Sequence, residues 1–190
     1  MYDKTIGYAL CGSFCTYTKA MAALKRLTEI YRRVIPIFSQ ASWETDSRFG
    51  TAEEHIRRAE GLCGAPALHT IAEVEPIGPK KLLDALVIAP CTGNTLAKLA
   101  HGIADGPVTM AAKSHLRNGR PLLLAVSTND GLAAAAENIG RLLARKHIYF
   151  VPFGQDDPIR KPTSLVANFD LLPDALDAAL SGLQLQPVLV

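Results

Sequence analysis

Leu86-Val-Ile-Ala-Pro-Cys-Thr-Gly-Asn-Thr-Leu-Ala-Lys98 carries the pattern on which the fold turns. Residues 86–89 are apolar without alternation, as expected of a strand covered on both faces. A short polar run, Pro90-Cys-Thr-Gly93, then leads straight into a helix predicted over residues 94–102. The same unit recurs on either side. Ile6-Gly-Tyr-Ala-Leu10 reads as a first buried strand, and residues 16–33 as its helix, with Arg32-Arg33 at the basic end where the helix dipole favours cations. Leu122-Leu-Leu-Ala-Val126 is a further buried strand before a helix over about residues 131–146. Val34-Ile-Pro-Ile-Phe38 reads as an edge or irregular strand, because Pro36 has no N–H to give a ladder. Thr51 with Glu54 forms a capping-box pattern for a helix to about residue 62. A helix over residues 108–116, a closing strand Ile148-Tyr-Phe-Val151 and a last helix over residues 174–183 complete the alternation. The expectation is an α/β fold: one doubly wound, flavodoxin/Rossmann-like parallel sheet flanked by helices, as a single domain over residues 1–190.

Composition narrows the function classes. A net charge of +2 is too small to make nucleic acid or an anionic membrane the expected partner. No run approaches the roughly 20 apolar residues of a spanning helix, and nothing near Lys4 resembles a signal peptide. Cys11, Cys15, Cys63 and Cys91 form no C-x-x-C pair and have no histidine at metal spacing, so reduced cytosolic thiols and no metal are expected.

Ligands of open parallel sheets bind beyond the carboxyl ends of the strands. Those positions here carry Cys11-Gly-Ser-Phe-Cys-Thr16, Ser39-Gln-Ala-Ser42, Pro90-Cys-Thr-Gly-Asn-Thr95, Ser127-Thr-Asn-Asp130 and Pro152-Phe-Gly-Gln-Asp-Asp-Pro158. Small hydroxyl, amide and glycine residues are good turn and cap formers, and they also cradle phosphate. Neither G-x-G-x-x-G nor a Walker loop is present. The expected cofactor rim is Gly12, Ser13, Phe14, Ser39, Pro90, Thr92, Gly93, Asn94, Thr95, Ser127 and Asn129.

Ala89-Pro-Cys-Thr-Gly-Asn-Thr-Leu-Ala-Lys98, continuing to Gly102-Ile-Ala-Asp105, resembles the A-P-x-[ST]-[AG]-N-[ST]-x-A-K…G-x-A-D signature of the flavoprotein family that includes the homo-oligomeric flavin-containing cysteine decarboxylases. Gly12-Ser-Phe14 resembles that family's first flavin-contacting loop. Asp46-Ser-Arg-Phe-Gly50, Glu75-Pro-Ile-Gly-Pro79, Met110-Ala-Ala-Lys113, Arg117-Asn-Gly-Arg-Pro121, Ser127-Thr-Asn-Asp130, the Gly154-Gln-Asp-Asp-Pro158 block and Gln184-Leu-Gln-Pro187 are similar to one branch, the dipicolinate synthase B subunits, over essentially the whole chain. That resemblance implies an oxidoreductase role in spore formation, in the cytoplasm of the mother cell. The reaction would be NADP-dependent oxidation of dihydrodipicolinate to dipicolinate, with FMN as a cofactor and with NADP bound mainly by a separate polypeptide, the synthase's A subunit. It further implies a homo-oligomer. A non-catalytic flavin- or nucleotide-binding scaffold is the alternative, and a flavin-dependent decarboxylase a weaker one. Counting back along the chain places the decarboxylases' catalytic histidine at Pro76, and only Asn129 remains of their P-x-M-N motif.

A ring dicarboxylate needs cations, and Arg48, Lys113 and Arg117 are the expected substrate contacts, with Arg160 and Lys161 as further candidates. Asp156 and Asp157 read either as a base or polar latch of the site or as a turn ahead of Pro158. His55 reads as an exposed helical histidine, Cys91 as a buried thiol, and no residue stands out as the general base.

Overall fold

Burial selects the strands. All seven positions of β3 (Ala85–Cys91) are buried, as its unbroken apolar run requires. In the computed structural model, which describes residues 1–190, β3 pairs in parallel with β1 (Tyr2–Leu10) on one side and β4 (Leu122–Thr128) on the other. Beyond β1 lies β2 (Tyr31–Phe38), and beyond the first half of β4 lies β5 (Ile148–Phe150), both parallel. The parallel order β2-β1-β3-β4-β5 therefore reverses direction between β1 and β3. One contiguous apolar cluster runs from Ile6 to Leu176. Helices α1 (Tyr17–Ile30) and α8 (Leu172–Leu180) pack on one face, and α5 (Gly93–His101), α6 (Pro107–Leu116) and α7 (Ala136–Leu143) on the other. Between them in the chain come α2 (Gln40–Glu44), α3 (Ala52–Cys63) and α4 (Ile71–Val74). No helix is long and apolar enough to cross a membrane.

Several sequence expectations change. The sheet is mixed: β7 (Leu165–Ala167) runs antiparallel to β4 at Ser127 and Thr128, and β6 (Phe153–Gly154) pairs antiparallel with β7. The strand at residues 148–151 thus closes only half the sheet edge. Arg32 and Arg33 belong to β2 rather than to a helix end, because the Tyr31 N–H closes α1 on Leu27 O and Arg32 pairs with Asp3 at 2.8 Å. The predicted helix over residues 131–146 shrinks to α7. Residues 130–135 are instead drawn under β7, where the Leu132 N–H donates to Thr163 O, and a Cβ on Gly131 would lie 2.6 Å from Leu165. The Thr51–Glu54 capping box forms as expected, with Thr51 N–H to Glu54 Oε2 at 2.8 Å.

His115 ties α6 to the start of β4. It is fully buried, its Nε2 donates to Pro121 O at 3.0 Å, and Nδ1 has no partner. Burial, more than any neighbouring charge, pushes its pKa down from 6.5 to about 4. The unfolded chain therefore binds a proton that the folded one refuses between those two values. Stability from this site is complete above pH 6.5 and is lost as the pH falls towards 4, by about 3 kcal/mol. Urea unfolding of His115→Gln, which keeps a donor for Pro121 O, is expected to show a flatter acid limb across that window. Identical limbs in the two proteins would assign the acid loss elsewhere.

Candidate functional site

Gly12, two residues past β1, and Thr92, the residue after β3, stand at the point where the strand order reverses. This is where an open α/β sheet leaves a crevice. Two clefts open there, and both residues line both of them.

The first cleft, of about 610 Å³, is walled by three helix starts. Ser39 caps α2, its Oγ accepting the Ser42 N–H at 3.2 Å. Thr92 caps α5, its Oγ1 accepting the Thr95 N–H at 3.3 Å. Gly106 precedes α6, with Pro107 in its first turn and Thr109 Oγ1 accepting the Gly106 N–H at 3.3 Å. The Gly93, Asn94, Val108 and Thr109 amides have no intrahelical acceptor, as for any first turn. Two of these helices, α5 and α6, are long enough for aligned peptide dipoles to add positive potential. Asn94 is exposed on this wall, and the Lys98–Asp105 ion pair, at 2.8 Å, closes its outer side beside Glu44.

Side-chain hydroxyls on the rim are wired inward. Thr16 Oγ1 donates to Ser13 O (2.8 Å), and Ser127 Oγ donates to Thr16 Oγ1 (3.3 Å). Ser13 Oγ lies 2.7 Å from Ser127 Oγ and, with the other two protons committed, is the donor there. In the same way Thr95 Oγ1 donates to Cys11 Sγ at 3.3 Å, so Thr92 donates to Thr95 across 3.1 Å. Burial pushes the Cys11 thiol up to about 11 and the Cys91 thiol well above its ordinary value. Both are neutral, inert thiols at pH 7. The donors the first cleft offers an anion are therefore mainly backbone amides.

The second cleft, of about 640 Å³, lies between the Ser13–Thr16 turn, the loop carrying Ser47, Arg48 and Phe49, the end of β4, and the segment from Asp156 to Val166. Ser13, Phe14, Arg48, Ser127 and Asn129 all line it. So does Asp156, which pairs with Lys161 at 2.9 Å. Partial burial acts to raise the Asp156 pKa, but the Ser164 hydroxyl and the Lys161 ammonium outweigh it and hold the carboxyl below its usual range. Asp157 instead closes the turn, accepting the Arg160 N–H at 3.0 Å and pairing with the Arg160 side chain.

Other expected residues stand elsewhere. Lys113 and Arg117 are exposed and line neither cleft. Helix α6 begins at the rim and runs away from it, so Arg117, eleven residues past Gly106, is roughly 16 Å distant along the axis. Pro90 is buried within β3. Gly93 faces the end of β4, where a Cβ would meet Thr128 Oγ1 at 2.7 Å and Asp130 Oδ1 at 2.9 Å. His55 is buried rather than exposed, edge-on to the Tyr17 ring at 4.6 Å, and burial lowers its pKa. Pro76 sits in a 3-10 turn ahead of β3, at the opposite end of the sheet from the clefts. The histidine on the rim side is His69, stacked on Trp43 at 3.6 Å with Nδ1 3.4 Å from Glu73 Oε2. It lines a smaller pocket that shares Gln40, Glu44, Asp105, Gly106 and Pro107 with the first cleft. Sequence reasoning also passed over Lys19, which lines the second cleft. A lysine in the first turn of α1 opposes the helix dipole, and that was its signal.

The model of the family described as Flavoprotein matches residues 1–166. The B subunit of dipicolinate synthase from Bacillus subtilis (strain 168) is 46% identical over 187 residues, covering 98% of this chain and 94% of that protein. The crystal structure of the dipicolinate synthase B subunit from Bacillus halodurans C superposes with a TM-score of 0.90 at 45% identity, covering 98% and 96% of the two chains. A dodecameric FMN-dependent Ubix-like decarboxylase from Escherichia coli O157:H7 shares the fold, with a TM-score of 0.62 at 23% identity over 78% and 79%.

Proposed function

The chain belongs to the flavoprotein family, within its group of dipicolinate synthase B subunits, and on that membership we propose that it serves in the NADP-dependent oxidation of dihydrodipicolinate to dipicolinate. In that reaction the dihydro ring gives up a hydride to NADP and releases one proton, becoming aromatic. A separate polypeptide, the synthase's A subunit, would hold the nicotinamide. The work would take place in the cytoplasm of the mother cell of a spore former, with this chain assembled as a homo-oligomer.

The observation that carries the reading is the placement of Gly12 and Thr92 in both clefts at the strand-order reversal. One ligand seated in the first cleft is thereby brought against another seated in the second. FMN fits the first: its volume is within the range of small-molecule sites, and helix-start amides with the Asn94 side chain offer donors to a phosphate or a ring carbonyl. A bound flavin would supply a two-electron relay between the dihydro ring and NADP, which remains the final hydride acceptor. The chain's own part is positioning. Ser13, Ser127 and Thr16 hold the wall between the clefts in one hydrogen-bonded arrangement, and Arg48 draws the substrate carboxylate to it. His69, beside Glu73 in the pocket that adjoins the first cleft, is the group we assign to receive the released proton relayed by way of that cleft.

A second reading, a non-catalytic flavin-binding scaffold for the nicotinamide-binding polypeptide, is favoured by the inward-turned hydroxyls and the neutral Cys11 and Cys91 thiols. Reconstitution separates the two. The nicotinamide-binding polypeptide is expected to form dipicolinate at least tenfold faster with this chain than without it, and His69→Gln is expected to remove most of that gain. Full activity in the absence of this chain would sink the first reading, and full rescue by His69→Gln would favour the second.

A further inference from the structure

The two clefts differ in charge. The first carries Lys98 against Glu44 and Asp105, with Lys98 already paired to Asp105, and relies on helix-start amides for positive potential. The second carries Lys19, Arg48 and Lys161 against the single carboxylate of Asp156, a surplus of two positive charges. Only Lys161 is neutralised within the chain, and Lys19 and Arg48 have no carboxylate partner. The three cations come from three separate elements: the first turn of α1, the residue 46–50 loop, and the segment between β6 and β7. Two aromatic rings, Phe14 and Phe49, share the lining, and Phe49 is 43% exposed.

Resting on the oxidation reading above, we propose that the second cleft is the seat of a planar ring dicarboxylate, with Lys19 an anchoring cation that works alongside Arg48 and Lys161. A dianion matches the surplus of two positive charges. Cations on separate elements suit carboxylates on opposite sides of a ring better than the compact oxygens of one phosphate. A phosphate is better served by converging backbone amides, which are in the first cleft. Phe14 and Phe49 give a flat ring apolar surface to lie against, while the exposed Asn129 side chain offers a polar contact to its edge. Lys161 is held by Asp156 until a carboxylate arrives, so it contributes by sharing that pair, whereas Lys19 is free to engage directly. Both cations act through solvent-accessible charge, and their effect weakens as salt rises.

Calorimetric titration with dipicolinate, picolinate and FMN at fixed low ionic strength tests this. In the whole chain, Lys19→Gln and Arg48→Gln are each expected to weaken dipicolinate about tenfold while changing FMN affinity by less than about twofold. Picolinate, lacking one carboxylate, should bind the unaltered chain about tenfold more weakly than dipicolinate. The exposed Lys80→Gln, which lines neither cleft, serves as the charge control and should leave every affinity unchanged. Failure of the unaltered chain to bind dipicolinate, with or without FMN, would overturn the proposal. So would a Lys19→Gln chain that loses FMN affinity and keeps dipicolinate, because the cleft would then be the flavin phosphate seat. These readings are independent of turnover. A chain that binds dipicolinate through Lys19 yet adds nothing to the rate of the nicotinamide-binding polypeptide refutes the oxidation role and leaves the site standing.

Discussion

Gly12→Leu is expected to raise the FMN dissociation constant at least 100-fold and to leave the melting temperature within a few degrees of the unaltered chain. A Cβ built on Gly12 finds its nearest neighbours in Ala41 Cβ at 3.6 Å and the Phe14 ring at 3.7 and 3.8 Å, which are ordinary contacts. Its backbone lies outside the left-handed region that favours glycine. The folded chain therefore tolerates a side chain here, and the space a leucine fills is taken from the junction of the two clefts. Both ligands lose room at once, so dipicolinate binding should fall in parallel with FMN. Tight FMN binding by a folded Gly12→Leu chain would remove the junction from the flavin site. A collapsed melting temperature would mean that Gly12 is structural, and the smaller Gly12→Ala then carries the test: its flavin affinity should drop measurably while its stability is kept.

Phe150→Ala is the substitution with the largest expected effect on stability, a loss of roughly 3–5 kcal/mol. Phe150 is fully buried in β5, its ring centroid 5.8 Å from that of Phe153. β5 has only three residues in register with β4, so side-chain packing must hold what few ladder bonds cannot. The strand's outer edge is closed by one side chain. Gln184 accepts the Phe150 N–H at 2.8 Å and donates to Phe150 O at 2.7 Å, replacing a missing neighbour strand. Emptying the Phe150 site removes the ring that anchors this corner, and urea unfolding should show the midpoint fall with little change in slope. A loss below about 1 kcal/mol would mean that β5 relaxes around the gap and adds little to the fold.

The parallel part of the sheet was legible because its strands are long, apolar and bounded by glycine or polar turns. Leu86–Ala89 and Leu122–Val126 admit few other readings. β6 and β7 were not, since two- and three-residue strands leave no period, and β7 pairs antiparallel where the alternation of strands and helices predicts parallel neighbours. The 130–135 segment looked helical from its run of alanines, and the close approach of Gly131 to Leu165 is a tertiary fact that composition does not carry.

Rim positions at the carboxyl ends of strands, such as Gly12, Ser39, Thr92 and Ser127, could be placed from strand ends alone. Those contributed by a helix face could not. Lys113 and Arg117 are turned away by the direction of α6, while Lys19 and His69 face the rim from elements whose packing the sequence leaves open. Which residue before β3 stands on the ligand side was likewise hidden from counting along the chain. The bridge between Ile37 and Leu68 takes up residues before β3 and brings His69, rather than Pro76, to the ligand end.

Whether the junction at Gly12 and Thr92 receives a flavin is most directly answered by titrating the purified chain with FMN and following visible absorbance and flavin fluorescence. The expected result is saturable, stoichiometric uptake with a shifted flavin spectrum, competed by neither dipicolinate nor picolinate. No uptake at saturating FMN, or uptake that dipicolinate displaces, would contradict it.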